Sequence, residues 1–510
     1  MIHVKMDTVT LDGNSLTLTD LSALARGACV ATLADAARTR MTESRAVIDQ
    51  MVADDRTVYG VTTGFGVFSE VRISNENVRA LQRNLILSHC AGIGEPYSPE
   101  VVRAMIALRA NALAKGLSGV RVETVERLLK MLERGIVPRI PSQGSVGASG
   151  DLAPLAHLAA ALMGEGDVYY EGERMPARRA LERVEITPVI YEAKEGLAMI
   201  NGTQAICAVG GLALERALRL LDASDLIAAM SVDALRGTDV AYDERIHAAR
   251  PHSGQQRVAR RMRSFLAGSR LRESHRDCGK VQDAYSLRCV PQVHGAVRDA
   301  IEFAARTFSI ELNSATDNPL IFSETGEALS GGNFHGAPVA LACDIVTIAL
   351  TDLQSISERR IERLVNPQLS ELPAFLTSQG GLCSGFMIAQ VTAAALTSES
   401  KTLSHPASVD SIPTSANKED HVSMGPTAAW KMARVVENLA GVLAIEWLCG
   451  AQALEFHRPV QSSQAIEGAH ALLRQSVPAW TDDRFLHSDL ESAKAALSAL
   501  SEMSRALQNN

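Results

Sequence analysis

A mainly α-helical protein is predicted by three features of this 510-residue chain. Hydrophobic residues make up 46% of it but aromatic ones only 4%, with alanine and leucine plentiful. That is the composition of packed helices rather than of a β-sandwich. Helical patterns lengthen markedly beyond residue 202. Strand signal is weak throughout. The length also exceeds what one compact core accommodates. The expected division is an N-terminal globular domain, 1–201, followed by a helical domain with long central helices, 202–510.

The first two hundred residues are choppy. Short helices are expected at Val101–Lys115 and Glu123–Arg134, separated by glycine and proline. Ile136–Ile140 reads as a short extended piece. It leads into the glycine-rich loop Gly144-Ser145-Val146-Gly147-Ala148-Ser149-Gly150-Asp151. An apolar helix follows, with Asp151 expected as its cap and Pro154 in its first turn. Asp167–Met175 reads as a small hairpin, Val168, Tyr169 and Tyr170 preceding a Glu171-Gly172-Glu173-Arg174 turn.

Three long helices are then expected: Thr203 to Leu235, Val339 to Leu364 (stopped near Pro367), and Thr427 to Phe456 (ended before Pro459). The second carries charges at helical spacing over Ser357–Arg363. The third has an apolar face at Val435, Leu439, Val442 and Leu443, which Glu446 interrupts. Helices of about 30 residues are roughly 45 Å long. Rods of that length need partners along their whole extent, so a bundle shared between subunits of a homo-oligomer is expected.

The net charge of −8 argues against a nucleic-acid partner and fits a protein that handles small molecules. The eight cysteines, at 29, 90, 207, 278, 289, 343, 383 and 449, form no Cys-x-x-Cys. They read as reduced thiols of a cytoplasmic protein. Met1 to Asp12 carries Lys5, Asp7 and Asp12 and has no long apolar core, so it does not read as a signal peptide. Residues 196–214 and 380–398 are charge-free over nearly a membrane span, but polar residues and glycines interrupt both. They are expected to be buried core helices, with no membrane partner. Asn201-Gly202-Thr203 fits a glycosylation acceptor, a coincidence without secretion. His252, His275 and His294 are too dispersed to suggest a metal, and none is expected.

Taken alone, the Gly144–Asp151 loop reads as a turn before a helix, or as something chemically unusual. A phosphate cradle fails, because neither Gly-x-x-x-x-Gly-Lys nor Gly-x-Gly-x-x-Gly is present. A hydrolase nucleophile elbow fails because Asp151 stands where glycine is needed. If the loop bends tightly, the Gly150 nitrogen can reach the Ala148 carbonyl and close a five-membered ring. Loss of water, including the Ser149 hydroxyl, then leaves an exocyclic methylidene. Such an electrophile opens chemistry unavailable to ordinary side chains.

Val146-Gly147-Ala148-Ser149-Gly150-Asp151-Leu152-Ala153-Pro154-Leu155 resembles the signature of the aromatic amino acid ammonia-lyases and their aminomutase relatives. Five further segments resemble that family in order: Tyr59-Gly60-Val61-Thr62-Thr63-Gly64-Phe65-Gly66, Glu195 to Thr203, Gln282 to Cys289, Asn313 to Leu320, and Ser330 to His335. With the substrate-reading segment ending at Met424, the similarity covers most of the chain. The resemblance implies a 4-methylidene-imidazol-5-one formed from Ala148, Ser149 and Gly150, with no external cofactor. It also implies a homotetramer whose sites each draw on three chains.

Residue roles follow by the same resemblance. Tyr59, on a loop with three glycines, would remove the substrate's β-proton, which requires nearby positive charge or donors to lower its pKa. Arg288 would bind the substrate carboxylate through two parallel N–H groups. Asn201 and Tyr285 would hydrogen-bond the ring and substrate, Gln282 would support them, and Phe334 would pack against the ring or substrate. Thr62 stands where relatives carry Asn or Thr. Family members acting on histidine carry Ser-His at the positions of Ser88-His89 and a Glu at the position of Glu419. His89 can hydrogen-bond an imidazole and Glu419 can hold its N–H. Lys418 departs from the Gln common at its position. The implied reaction is elimination of ammonia from L-histidine to give trans-urocanate. The alternatives are a lyase for tyrosine or phenylalanine, or a histidine 2,3-aminomutase.

Overall fold

The computed structural model describes residues 7–508. The first half of the Met1–Asp12 segment therefore lies outside the described residues. Helices dominate, with nineteen α-helices among the described residues and only short strands. The long helices fall at Gln204–Ala234, Ala337–Val365 and Gly425–Glu455, each within a few residues of its sequence-predicted bounds. Val290–Glu311 and Leu486–Ala506 are further helices of more than twenty residues that sequence periodicity did not single out.

Two compact units divide the chain discontinuously. The first takes residues up to Glu215 together with 305–344 and 406–430; the second takes 216–304, 345–405 and the residues from 431 onward. Sequence reading divides the chain once, at 201/202. Four of the five crossings between units fall inside long helices, where neither composition nor punctuation marks a change.

The first unit is built around the helix Pro99–Ala114, which is buried along most of its length. It packs against Leu18–Arg26 and Val122–Glu133. Asp7–Leu11 and Cys29–Leu33 form a parallel strand pair. The hairpin expected near 167–175 is present as Asp167–Tyr170 paired with Glu173–Pro176, and Val137–Pro138 adds a third strand. Three helices of this unit pack on one another: Val78–His89, Leu152–Leu162 and Glu195–Ile200. The first ends at His89, the second begins after the glycine-rich loop, and the third ends at Asn201.

The second unit buries polar groups between its helices. Asp225 accepts hydrogen bonds from His294 Nδ1 at 2.8 Å, Arg298 at 2.6 Å and Arg261 at 2.7 Å. Glu446 accepts from Arg360, Ser357 and Ser231. The carboxylate that interrupts an apolar face is thus a fully buried, fully partnered charge, as such groups must be.

Residues 196–214 are almost all buried, but 380–398 are not. The helix there, Met387–Leu403, buries the small or polar Ala389, Ala393, Thr397 and Ser400 and leaves Ile388 and Val391 exposed. Absence of charge had suggested burial; the apolar residues instead form an uncovered stripe at helical spacing. Among the described residues one helix, Ala337–Val365, is long and apolar enough to cross a membrane, and 67% of its apolar window is buried within the protein.

Candidate active site

The glycine-rich loop is forced into shape by its neighbours. Gly147 and Gly150 adopt φ of 66° and 71°, where a side chain is strained. A Cβ at Gly150 would also collide with the peptide of Gly202, and one at Gly147 with the Ser423 hydroxyl. Gly150 pairs with Gly202 as an isolated parallel bridge, and Asp151 N–H donates to Gly202 O at 2.7 Å. Met424 N–H donates to Val146 O at 2.9 Å and Ser423 Oγ to Gly147 O at 2.9 Å. Asn201 Nδ2 donates to Ser149 O at 2.6 Å. These contacts hold Ala148-Ser149-Gly150 from both sides in a tight bend, as closure of a ring between Gly150 and Ala148 requires.

Asp151 occupies the N-cap position of Leu152–Leu162 but makes no side-chain bond to that helix. This corrects the expected cap. Its carboxylate accepts Ile206 N–H at 2.8 Å, in the first turn of Gln204–Ala234, and Ser145 Oγ at 3.2 Å. It ties the loop to the next helix. Burial pushes this carboxyl up to about 7, against the pull of the Ile206 and Ala205 N–H groups, Ser145 and Arg109.

Beside the loop lies a cavity of about 1280 Å³. Tyr59, His89, Ala148, Ser149, Asn201, Phe334 and Glu419 line it together. Gly150 is buried in the loop, outside that lining. Glu419 Oε1 accepts the Ser149 hydroxyl at 2.5 Å; its Oε2 accepts Thr414 Oγ1 at 2.6 Å and Ser415 Oγ at 2.9 Å. Burial opposes ionisation of Glu419, but these hydroxyls and His89 outweigh it and hold the carboxyl below its ordinary value. His89 Nδ1 donates to Leu85 O at 2.7 Å within its own helix, which leaves Nε2 to a ligand.

Tyr59 runs against expectation. Burial raises its phenol above the ordinary value and Glu419 adds to this, with only the Gly66 N–H acting the other way. Among the described residues the cavity lining contains no arginine, and Lys418 is its one lysine. The charge that would lower Tyr59 is therefore not among these residues.

Gln282, Tyr285 and Arg288 are not in that lining. They sit in the second unit, where Arg288 Nη1 donates to Gln282 Oε1 at 2.7 Å and the guanidinium stacks 4.5 Å from the Tyr285 ring centroid. Tyr285 is 71% exposed, and Gln282 and Arg288 line a separate cavity of about 480 Å³. The three form a group of their own.

Two histidines in the main cavity escaped the sequence reading. His335 and His421 stack with parallel rings 5.7 Å apart. His335 Nδ1 accepts Ala337 N–H, so Nε2 carries the proton and donates to His421 O at 3.1 Å. Both lie inside the motifs that were read, but only Phe334 and Glu419 were singled out there. Thr414 and Ser415, which orient Glu419, carried no motif of their own. Among the described residues no cluster of three or more metal-ligating side chains occurs.

The arrangement places a bent Ala-Ser-Gly loop, a phenol, an imidazole and a partnered carboxylate around one cavity. Known proteins resemble this chain. The aromatic amino acid lyase family matches residues 16–475. A histidine ammonia-lyase of Myxococcus xanthus (strain DK1622) is 54% identical over 484 residues, 95% of each chain. One from Koribacter versatilis (strain Ellin345) is 54% identical over 96% of this chain and 98% of its own. The crystal structure of histidine ammonia-lyase from Trypanosoma cruzi superposes with a TM-score of 0.92 at 46% identity, covering 98% of this chain and 95% of the other. Tyrosine aminomutase from Streptomyces globisporus gives a TM-score of 0.92 at 39% identity over 98% of both. With the family's match running through nearly the whole chain and its bent loop lining the cavity, this protein belongs to the aromatic amino acid lyase family.

Proposed function

We infer that this protein is a histidine ammonia-lyase, eliminating ammonia from L-histidine to give trans-urocanate. The observation that carries the substrate is the pairing of Glu419 and His89 in one cavity with Ser149. A carboxylate held ionised and an imidazole with a free Nε2 match the two nitrogens of a substrate imidazole. The relatives of about half-identical sequence support the same reading.

Members of this family use a 4-methylidene-imidazol-5-one group. The bend of Ala148-Ser149-Gly150 and the glycine-only approach of Gly150 to Gly202 fit its formation from these residues, without an external cofactor. When formed it supplies the electrophilic carbon that no side chain offers. Asn201 Nδ2, already on Ser149 O, would hold that oxygen and favour negative charge there. Tyr59 would take the β-proton as a phenolate once positive charge from outside this chain's cavity offsets the burial and the Glu419 field that raise it. Glu419 and His89 orient the imidazole, and Phe334 packs against the substrate. Loss of the Ser149 hydroxyl on ring closure would free Glu419 Oε1 for the substrate.

The substrate carboxylate needs a guanidinium that this chain's own cavity lacks. Arg288, with Tyr285 and Gln282, is assigned that work in the site of a neighbouring copy, within a homotetramer. The exposed apolar stripe of Ile388 and Val391 supports such an assembly. Among the described residues no disulfide joins the eight cysteines, in keeping with a cytoplasmic setting.

The test is turnover of purified protein on histidine, phenylalanine and tyrosine, read in the near ultraviolet as the conjugated acrylate appears. Acrylate from histidine alone is expected. Acrylate only from tyrosine, or a β-amino acid in its place, would replace the histidine reading.

A further inference from the structure

Arg109 lies in the buried part of the helix Pro99–Ala114 and is 1% exposed. A buried guanidinium is unusual; the carboxylates of Asp317 and Asp151 favour its charge. Its hydrogen bonds explain it. Nη1 donates to Ala198 O at 2.6 Å and to Asn201 O at 2.9 Å. Nη2 donates to Gln204 Oε1 at 2.6 Å, and Gln204 Nε2 passes the link to Thr316 Oγ1 at 2.9 Å. The two carbonyls lie at the C-terminal end of Glu195–Ile200, where helix carbonyls lack intrahelical partners. One residue thus fixes the end of that helix, the start of Gln204–Ala234, and Asn201 and Gly202 between them.

That joint bears directly on the electrophile loop. Asn201 holds Ser149 O through its side chain, and Gly202 O takes the Asp151 N–H. A Cβ at Gly202 would meet Arg109 Nη2, Gln204 Oε1 and Thr316 Oγ1 at 2.6 to 2.7 Å. A Cβ at Gly150 would meet the Gly202 peptide. Guanidinium, Gly202 and Gly150 form a stack with no room for a methyl group at either glycine. Closure joins the Gly150 nitrogen to the Ala148 carbonyl carbon; the Gly150 and Ser149 N–H protons leave with that oxygen as water, and the Ala148 carbon becomes double-bonded to the Ser149 nitrogen. Ser149 then loses its Cα proton and its hydroxyl as a second water. Nothing is oxidised or reduced. What the reaction needs is a backing that keeps Gly150 pressed toward Ala148.

We propose that Arg109 is that backing: a positioning residue that, through Asn201 and Gly202, holds Ala148-Ser149-Gly150 in the bend from which the ring closes. It touches neither substrate nor the reacting atoms. A lysine keeps the charge but cannot bridge two carbonyls and an amide at once. The inference rests on the ring-forming reading of this loop.

The experiment compares intact mass, kcat and KM of the full-length wild type, Arg109→Lys, Gln204→Met and Leu24→Ala. Leu24→Ala is a core truncation elsewhere in the same unit that lowers stability without touching the joint. In the wild type and in Leu24→Ala, all chains should lack two waters. In Arg109→Lys the cyclised fraction should fall severalfold, kcat should fall in the same proportion, and KM should hold. Gln204→Met should show a smaller deficit of the same kind, and carries the test if Arg109→Lys does not fold. Complete cyclisation in the folded variants overturns the proposal, as does an equal deficit in Leu24→Ala. A wild type that keeps both waters instead removes the ring-forming reading itself.

Discussion

At position 419 one carboxylate serves two oxygens with different partners. Oε2 is anchored by Thr414 and Ser415, while Oε1 faces Ser149. The anchored side fixes the direction of the other, which is how a loop side chain acquires the precision of a site. Glu419→Gln keeps the shape and removes the charge. It should lower kcat/KM on histidine by roughly ten- to a hundredfold, the worth of one charge-assisted hydrogen bond. Tyrosine and phenylalanine turnover, if measurable, should fall less; an equal loss on all three would take substrate reading away from Glu419. Asp151 gives a prediction in pH. Its buried carboxyl is raised to about 7, above an unfolded value of about 4. The stability held by the protonated form is whole below the unfolded value and is lost as pH rises through about 7. Thermal midpoints of Asp151→Asn should therefore fall less than those of the wild type between about pH 4 and 7; parallel curves would show that this carboxyl does not set the slope.

Three short junctions, rather than three long rods, build the site. His89 ends one helix, Ser149 precedes a second and Asn201 ends a third, and the helices pack on one another. Glycines make the junctions possible, because their backbones meet where side chains cannot. Gly150→Ala forces a Cβ into left-handed backbone, a cost of about 1–2 kcal/mol before any collision is counted. The collision with Gly202 adds to it. A drop of at least that size in the urea unfolding free energy is expected, together with loss of ring formation by intact mass. A variant of wild-type stability would mean that the loop is not held as described. Asp151 shows why local sequence misleads at such junctions. Its position is that of a cap, yet its carboxylate reaches a helix that begins more than fifty residues later.

For the molecule as a whole, the decisive fact is that chemistry-bearing residues fall into two groups. Tyr59, His89, Ser149, Asn201 and Glu419 surround one cavity, while Gln282, Tyr285 and Arg288 cluster in the second unit. If neighbouring copies combine them, two inactive variants should rescue each other. Tyr59→Phe and Arg288→Lys, coexpressed, should regain about a quarter of wild-type activity, since each shared site then has an even chance of each intact residue. Separately purified variants mixed without subunit exchange should not. No recovery on coexpression would place both residues in one chain's site.

Much was legible in the sequence. The long helices were written as apolar periodicity, since burial of a stripe depends only on which residues recur. The glycine-rich loop and the segments carrying Tyr59, Asn201 and Glu419 were written as local motifs, because backbone permissiveness and side-chain chemistry belong to single positions. Arg109, Thr414 and Ser415 were not legible as site residues. An arginine in the apolar part of a helix signals a buried partner but does not say that the partners are Ala198 and Asn201, about ninety residues away. The high value of Tyr59 was likewise hidden, because desolvation and the field of Glu419 exist only once distant segments share a cavity. Sequence by itself determined which chemistry the chain can carry. The tertiary structure alone decided which groups face each other and at what charge, because distance and dielectric are properties of the packed molecule.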